Sequence, residues 1–225
     1  MPVGKLYIVA TPIGNLGDIS TRALEILQQV DLIVCEDTRV TKKLLNHFEI
    51  KTPVASYHHH SSAGVEQSLL NKLLAGEVLA YVADAGTPGI SDPGGKLVEV
   101  VSKTEVPIIP IPGPSAVTAA LSIAGFNTQA FIFLGFPPHK KGRQTWFKDL
   151  VKLSEVAVFY ESTYRIKKAL EEIKKIAPEY QLVVCRELTK MFETIYRGTA
   201  EEILNQINKT SSKGEFVVIV NKKLF

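Results

Sequence analysis

The sequence predicts an α/β protein of two units, the first on a mostly parallel sheet and the second on a mixed sheet with helices. Three observations carry this. In the first half, short apolar runs alternate with helix-length amphipathic stretches, as βαβ units require. In the second half, strand-like runs crowd together, and the short gap between Glu187 and Phe192 suits antiparallel pairing. At 225 residues the chain can bury two cores. The boundary is set at the stiff Pro112-Gly113-Pro114 turn, giving units 1–112 and 113–225.

Residues 6–10 form the first strand, followed by a loop from Thr11 to Asp18. Ser20 caps a helix carrying Ala23, Leu24, Ile26 and Leu27. A short strand over 31–35 runs into Glu36-Asp37-Thr38-Arg39, then a helix through Leu44, Leu45 and Phe48. The helix over 63–75 closes on Gly76. A strand over 78–83 opens into the loop 84–95, where Asp92 is read as N-cap with Pro93 at the first helical position. Pro107 and Pro110 place the strand over 106–111 at a sheet edge, because proline has no N–H to donate. Ser115 caps a helix over 116–124. Strands follow over 130–136, 155–161, 181–187, 192–197 and 215–221, with helices over 143–153, 164–176 and 200–207.

No apolar run reaches the roughly 18 residues of a membrane helix. The apolar stretch near Met1 and Pro2 is too short for a signal peptide, so a cytoplasmic protein is expected. Cys35 and Cys185 sit in apolar strands and read as buried free thiols. The formal charge of +3 neither demands nor excludes a nucleic-acid partner, which needs a local basic patch. His139-Lys140-Lys141-Gly142-Arg143 is one such patch. Lys167-Lys168 and Lys174-Lys175 alternate with Glu171 and Glu172 and read as a solvated helix face.

Three loops at strand ends, 11–15, 84–95 and 112–116, are rich in glycine, proline and small residues. Ligands of open α/β sheets gather at such ends. The loop 84–95 holds four glycines and two prolines in twelve residues, more than a turn needs. Glycine admits a ligand close to backbone, and proline fixes the loop beforehand. No loop has the G-x-G-x-x-G or G-K-S/T pattern, which disfavours dehydrogenases, NTPases and methyltransferases with a dinucleotide-like cofactor loop.

The runs Val9-Ala10-Thr11-Pro12-Ile13-Gly14-Asn15-Leu16 and Cys35-Glu36-Asp37-Thr38-Arg39 resemble the small-subunit (16S) ribosomal RNA cytidine 2′-O-methyltransferases, a family of the tetrapyrrole methylase superfamily. The loop 84–94, Pro112-Gly113-Pro114-Ser115-Ala116, Phe159-Tyr160-Glu161-Ser162, Arg186-Glu187-Leu188-Thr189-Lys190 and Lys213-Gly214-Glu215-Phe216 match its motifs in order, over essentially the whole chain. The resemblance implies two α/β domains with S-adenosylmethionine held in the cleft between them, and a homodimer. It assigns cofactor contacts to Ile13, Asp84, Gly86, Thr87, Pro88, Ile90, Ser115 and Ala116. From the second domain, Phe159 or Tyr160 and the strand start Gly214, Glu215 and Phe216 are expected to close over the adenine.

A ribose hydroxyl is a poor nucleophile at neutral pH and needs a proton acceptor or a nearby cation. Glu36 or Asp37 is the candidate acceptor, with Arg39 on RNA phosphate or on the carboxylate. Lys190 is a candidate electrostatic partner beside Glu161 and Glu187. Lys140, Lys141 and Arg143 are the expected phosphate contacts, and Tyr57 with His58-His59-His60 are candidates for stacking on splayed bases. No metal is expected, since adjacent histidines on an extended segment point to opposite faces. Thr163-Tyr164 stands where family members usually show Pro-His, and the chain stops at Phe225 where many continue into a helical extension. The alternatives are methylation of a tetrapyrrole carbon or a protein side chain, and an RNA-binding homologue without transfer activity. The motifs 36–39 and 186–190 argue against the former, and the intact loop 84–95 against the latter.

Overall fold

Five parallel strands form the first unit's sheet: β1 (Lys5–Val9), β2 (Leu32–Cys35), β3 (Val54–Ser56), β4 (Val78–Val82) and β5 (Ile108–Ile111), in the order β3-β2-β4-β1-β5. They come from a computed structural model that describes residues 3–58 and 60–222 and divides into Met1–Ser115 and Ala116–Phe225. Strand side chains alternate between faces. In β4, Ala80 and Val82 meet Leu27 of α1 (Thr21–Gln29) and Leu45 of α2 (Thr38–His47). Leu79 and Tyr81 meet Leu73 of α3 (Ala63–Leu74) and Leu97 of α4 (Gly94–Val101). Helices thus cover both faces. The adjacent strands β1 and β4 lead to helices on opposite faces, α1 and α4, and at such a switch point the ligands of open α/β sheets gather.

Pro110 does lie in the edge strand β5, and Pro107 falls just outside it. Ser20 caps α1 by accepting the Ala23 N–H at 3.1 Å. Two details differ from expectation. β3 has three residues, too short for a periodic signal, and is held by its parallel pairing with β2 and by Val54 packing on the core. Helix α4 starts at Gly94, one residue later than the Asp92-Pro93 pattern implied. Asp92 still caps that end, its Oδ1 accepting from Gly94 N–H at 2.7 Å and its Oδ2 from Ile90 N–H at 3.1 Å.

The second sheet has the order β6-β7-β10-β8-β9, from β6 (Phe131–Phe133), β7 (Val156–Ser162), β8 (Gln181–Arg186), β9 (Thr194–Gly198) and β10 (Glu215–Asn221). Only β6–β7 is parallel; β7–β10, β10–β8 and β8–β9 are antiparallel, so the sheet is mixed as the texture of the sequence suggested. α5 (Ala116–Ser122) lies against β10. One large core joins Phe147 and Leu150 of α6 (Arg143–Leu150), Leu170 and Ile173 of α7 (Ile166–Ile176), and Ile203 and Ile207 of α8 (Ala200–Lys209) to Phe159, Leu182 and Val218 of the strands. Thr199 and Glu202 form a reciprocal capping box on α8. Both cysteines are free and buried, and burial pushes the Cys185 thiol up to about 12. Among the described residues no helix is long and apolar enough to cross a membrane.

Candidate active site

Four loops leave the C-terminal edge of the parallel sheet, and hydrogen bonds stitch them to one another. Thr11 after β1 and Gly86 after β4 exchange backbone bonds of 3.0 and 3.1 Å. The Thr11 hydroxyl donates to Ala83 O at 3.3 Å, and that of Thr87 to Pro114 O, after β5, at 3.0 Å. The Asp37 N–H, after β2, donates to Asp84 Oδ1 at 3.0 Å. These links gather Asp37, Asp84, Gly86 and Thr87 and place Ile13, Pro88, Ile90 and Ser115 on the same loops.

Gly86 has φ +81°, and a Cβ built there would stand 3.2 Å from Ile13 Cγ2. The cradle of backbone around it exists because this position has no side chain. Asp84 is exposed on that cradle. Its carboxyl is raised above the ordinary range by partial withdrawal from water and by the charges of Asp37 and Asp92, against the pull of the Asp37 N–H. Backbone groups flanked by a carboxylate suit a ligand bearing an ammonium group and ribose hydroxyls, so the residues present fit a nucleoside–amino-acid cofactor. Among the described residues no group of three or more His, Cys, Asp or Glu could hold a metal ion.

Asp37 is the N-cap of α2 and also grips Arg39, whose Nε and terminal nitrogen reach its two oxygens at 2.7–3.2 Å. The Arg39 guanidinium, helped by the Arg39 backbone N–H, holds the Asp37 carboxyl down at about 2. So acidic a carboxylate accepts protons poorly, which weakens Asp37 as the candidate base. The sign is that of a depressed acid: the pairing favours the folded form above pH about 4 and is lost as the pH falls toward 2. Arg39→Ala should return the Asp37 carboxyl toward about 4, read by NMR titration of its side chain. A value still near 2 in that variant would show that the backbone cap alone suffices.

In the second unit Lys190 bonds Glu187 Oε1 at 3.2 Å and Glu215 Oε2 at 2.8 Å. Burial opposes its charge, but the two carboxylates hold the ammonium above its usual range. The turn carrying it is tight, with Glu187 at φ 52° and Thr189 at φ 65°. Gly214 exchanges bonds of 2.7 Å with the Thr163 hydroxyl at the end of β7. Two expected adenine contacts are corrected. The rings of Phe159 and Phe216 are 0% and 2% exposed and pack into the helical core, because the strand period turns them to that face. Tyr160, one residue on, points the other way against Phe133 and Phe136, and burial pushes its phenol up to about 12.

Two expected RNA contacts are also corrected. Arg143 is 3% exposed; its guanidinium bonds Glu161 at 3.3 Å, Glu172 at 2.9 Å and Pro138 O at 3.2 Å, so all three of its nitrogens are engaged inside the protein rather than presented to a phosphate. Tyr57 is fully buried, its hydroxyl donating to Glu66 at 3.1 Å. Lys140, Lys141 and His58 are exposed, while His59 lies outside the described residues, as do Met1, Pro2 and Phe225. Sequence reading passed over Thr11, which ties the first loop to the third, and the buried partners of Glu161. A threonine two residues past a strand was the available signal for the first; the second has no local signal.

The family described as Tetrapyrrole (Corrin/Porphyrin) Methylases matches residues 5–204. The ribosomal RNA small subunit methyltransferase I of Synechocystis is 46% identical over 220 residues, covering 97% of this chain and 79% of the relative. Among solved structures, diphthine synthase has a TM-score of 0.74 at 15% identity, covering 99% of this chain and 92% of its own. The uroporphyrin-III C-methyltransferase of Thermus thermophilus, complexed with S-adenosylhomocysteine, has a TM-score of 0.66 at 16% identity, covering 97% and 98%. At such identities these two structures speak for the fold alone, and that fold is the two-sheet α/β architecture expected from the sequence. The chain belongs to the tetrapyrrole methylase family and, by its identity over nearly its whole length, to the ribosomal RNA small subunit methyltransferase I proteins within it.

Proposed function

We propose that this chain is an S-adenosylmethionine-dependent methyltransferase that 2′-O-methylates a cytidine ribose in small-subunit ribosomal RNA. The observation that carries the reading is the stitched cradle at residues 11–13, 84–90 and 113–115, a site made of backbone with one carboxylate and no phosphate-binding fingerprint. The name of the Synechocystis relative supports the RNA substrate, and the S-adenosylhomocysteine complex of the Thermus protein supports the cofactor. Bound there, S-adenosylmethionine supplies an electrophilic sulfonium methyl.

The chain's residues then have separate tasks. Ile13, Gly86, Thr87, Pro88, Ile90, Ser115 and Ala116 present backbone to the cofactor, and Asp84 takes its ammonium or ribose hydroxyls. Much of the rate comes from aligning the ribose oxygen with the methyl carbon. Glu36 takes the hydroxyl proton, Asp37 fixes Arg39, and Arg39 stabilises negative charge. The working form is a cytoplasmic homodimer.

Incubation with methyl-labelled S-adenosylmethionine and unmethylated small ribosomal subunits, followed by nucleoside analysis, tests this. Labelled 2′-O-methylcytidine is expected. Label on a base, a protein or a tetrapyrrole, or cofactor binding without any transfer, would contradict it.

A further inference from the structure

The second unit contains an open groove of about 580 Å³ between α6 and α7. Lys140 from the preceding loop, Lys148 from α6, and Lys168 and Lys175 from α7 stand around it, all four exposed. Among the described residues none of the four lysines makes an ion pair or a side-chain hydrogen bond. The groove also contains Glu171 and Glu172, and what decides its sign is where their charges go. Glu172 is neutralised from inside: its Oε2 lies 2.9 Å from Arg143 Nε, and Arg143 is 3% exposed. Arg143 is itself anchored by the fully buried Glu161. The buried arginine therefore removes one carboxylate from the groove wall, and only Glu171 opposes the four lysines.

The spacing selects the ligand. Lys168 and Lys175 are seven residues apart on one helix, hence on the same face and separated by about 10.5 Å along the axis. A single phosphate cannot reach both. Lys148 answers them from the facing helix. Mobile ammonium groups in a row, without stacking rings or a shaped base pocket, match a chain of repeated phosphates read for charge rather than sequence.

We propose that the α6–α7 groove is a track for the phosphodiester backbone of the RNA substrate, with Lys148, Lys168 and Lys175 as its principal contacts. This rests on the reading of the chain as an RNA methyltransferase. It moves the phosphate contacts away from Arg143, whose task is to hold the groove wall and to mask Glu172.

The test compares the full chain with the triple variant K148A/K168A/K175A and with a control, K51A/K103A/K209A, that loses equal charge elsewhere. Alanine keeps α6 and α7 intact. Binding of a small-subunit ribosomal RNA fragment is measured from 50 to 300 mM salt, with S-adenosylmethionine affinity and methyl transfer measured alongside. The groove variant should bind the RNA about tenfold or more weaker, and its slope of log K against log salt should flatten by about 2.1 to 2.7 units, three contacts at roughly 0.7 to 0.9 each. The control should change little, cofactor affinity should hold, and Glu171→Gln should tighten binding. A groove variant with wild-type affinity and slope overturns the inference, and so does a control that loses as much. Lysine-dependent binding by a wild-type protein that transfers no methyl would overturn the proposed function while leaving the track in place.

Discussion

Gly86→Val is expected to weaken S-adenosylmethionine binding by about 100-fold or more, equivalent to about 2.8 kcal/mol. Two causes act together. The residue sits at φ +81°, where a β-branched side chain is strongly disfavoured, at about 1–2 kcal/mol. Its Cβ would press on Ile13 Cγ2 at 3.2 Å, with Pro114 O at 3.7 Å beyond. Relief requires residue 86 to move, and that breaks the paired bonds with Thr11 which hold the first and third loops together. The lost loop geometry is that of the proposed binding site. Gly86→Ala, with the same Cβ but no branching, should show a smaller loss of the same sign. Calorimetric titration checks both, and wild-type affinity in the two variants would remove Gly86 from the site.

Glu161→Leu should cost about 3–5 kcal/mol of stability, the expected penalty for stripping a buried ion pair of one partner. The Glu161 side chain has no exposed surface. Its Oε1 lies 2.9 Å from Arg165 Nε and 2.8 Å from the Ser162 N–H, and its Oε2 lies 3.3 Å from Arg143. Both arginines also hold carbonyls of the loop between β6 and α6, Arg143 at Pro138 and Arg165 at Pro137. Leucine would leave two guanidiniums facing an apolar side chain in a site closed to water. A fall in Tm of about 10 °C or more follows. Glu161→Gln keeps an accepting oxygen and should lose less. Equal and small losses for both would mean that the arginines rearrange to solvent freely.

The fold was legible wherever the decisive signal was local. The alternation of apolar strands with capped helices placed β1, β2 and β4, and Ser20 capped α1 as its position implied. Pro110 marked an edge because a missing N–H is a property of one residue. The gap after Glu187 gave the antiparallel β8–β9 pair. What failed depended on distant partners. Arg143 reads as basic surface in sequence, and only Glu161 and Glu172, 18 and 29 residues away, make it interior. Tyr57 looked like an entrance ring, yet Glu66 and Tyr81 enclose it. In Phe159-Tyr160 the strand period already said that one ring faces the core and the next does not, but choosing between them needed helices α6 and α7 in place. The loops of the site were legible as unusual chemistry; their joining through Thr11, Thr87 and Asp84 was not, since each bond spans 27 residues or more.

The claim that this stitched cradle is the cofactor site is tested most directly by backbone amide NMR mapping of the labelled chain titrated with S-adenosylmethionine. The largest shifts should fall on Ile13, Asp84, Gly86, Thr87, Ile90 and Ser115, and saturate together with a single affinity. Saturable shifts confined to other residues, or no binding at all, would contradict it.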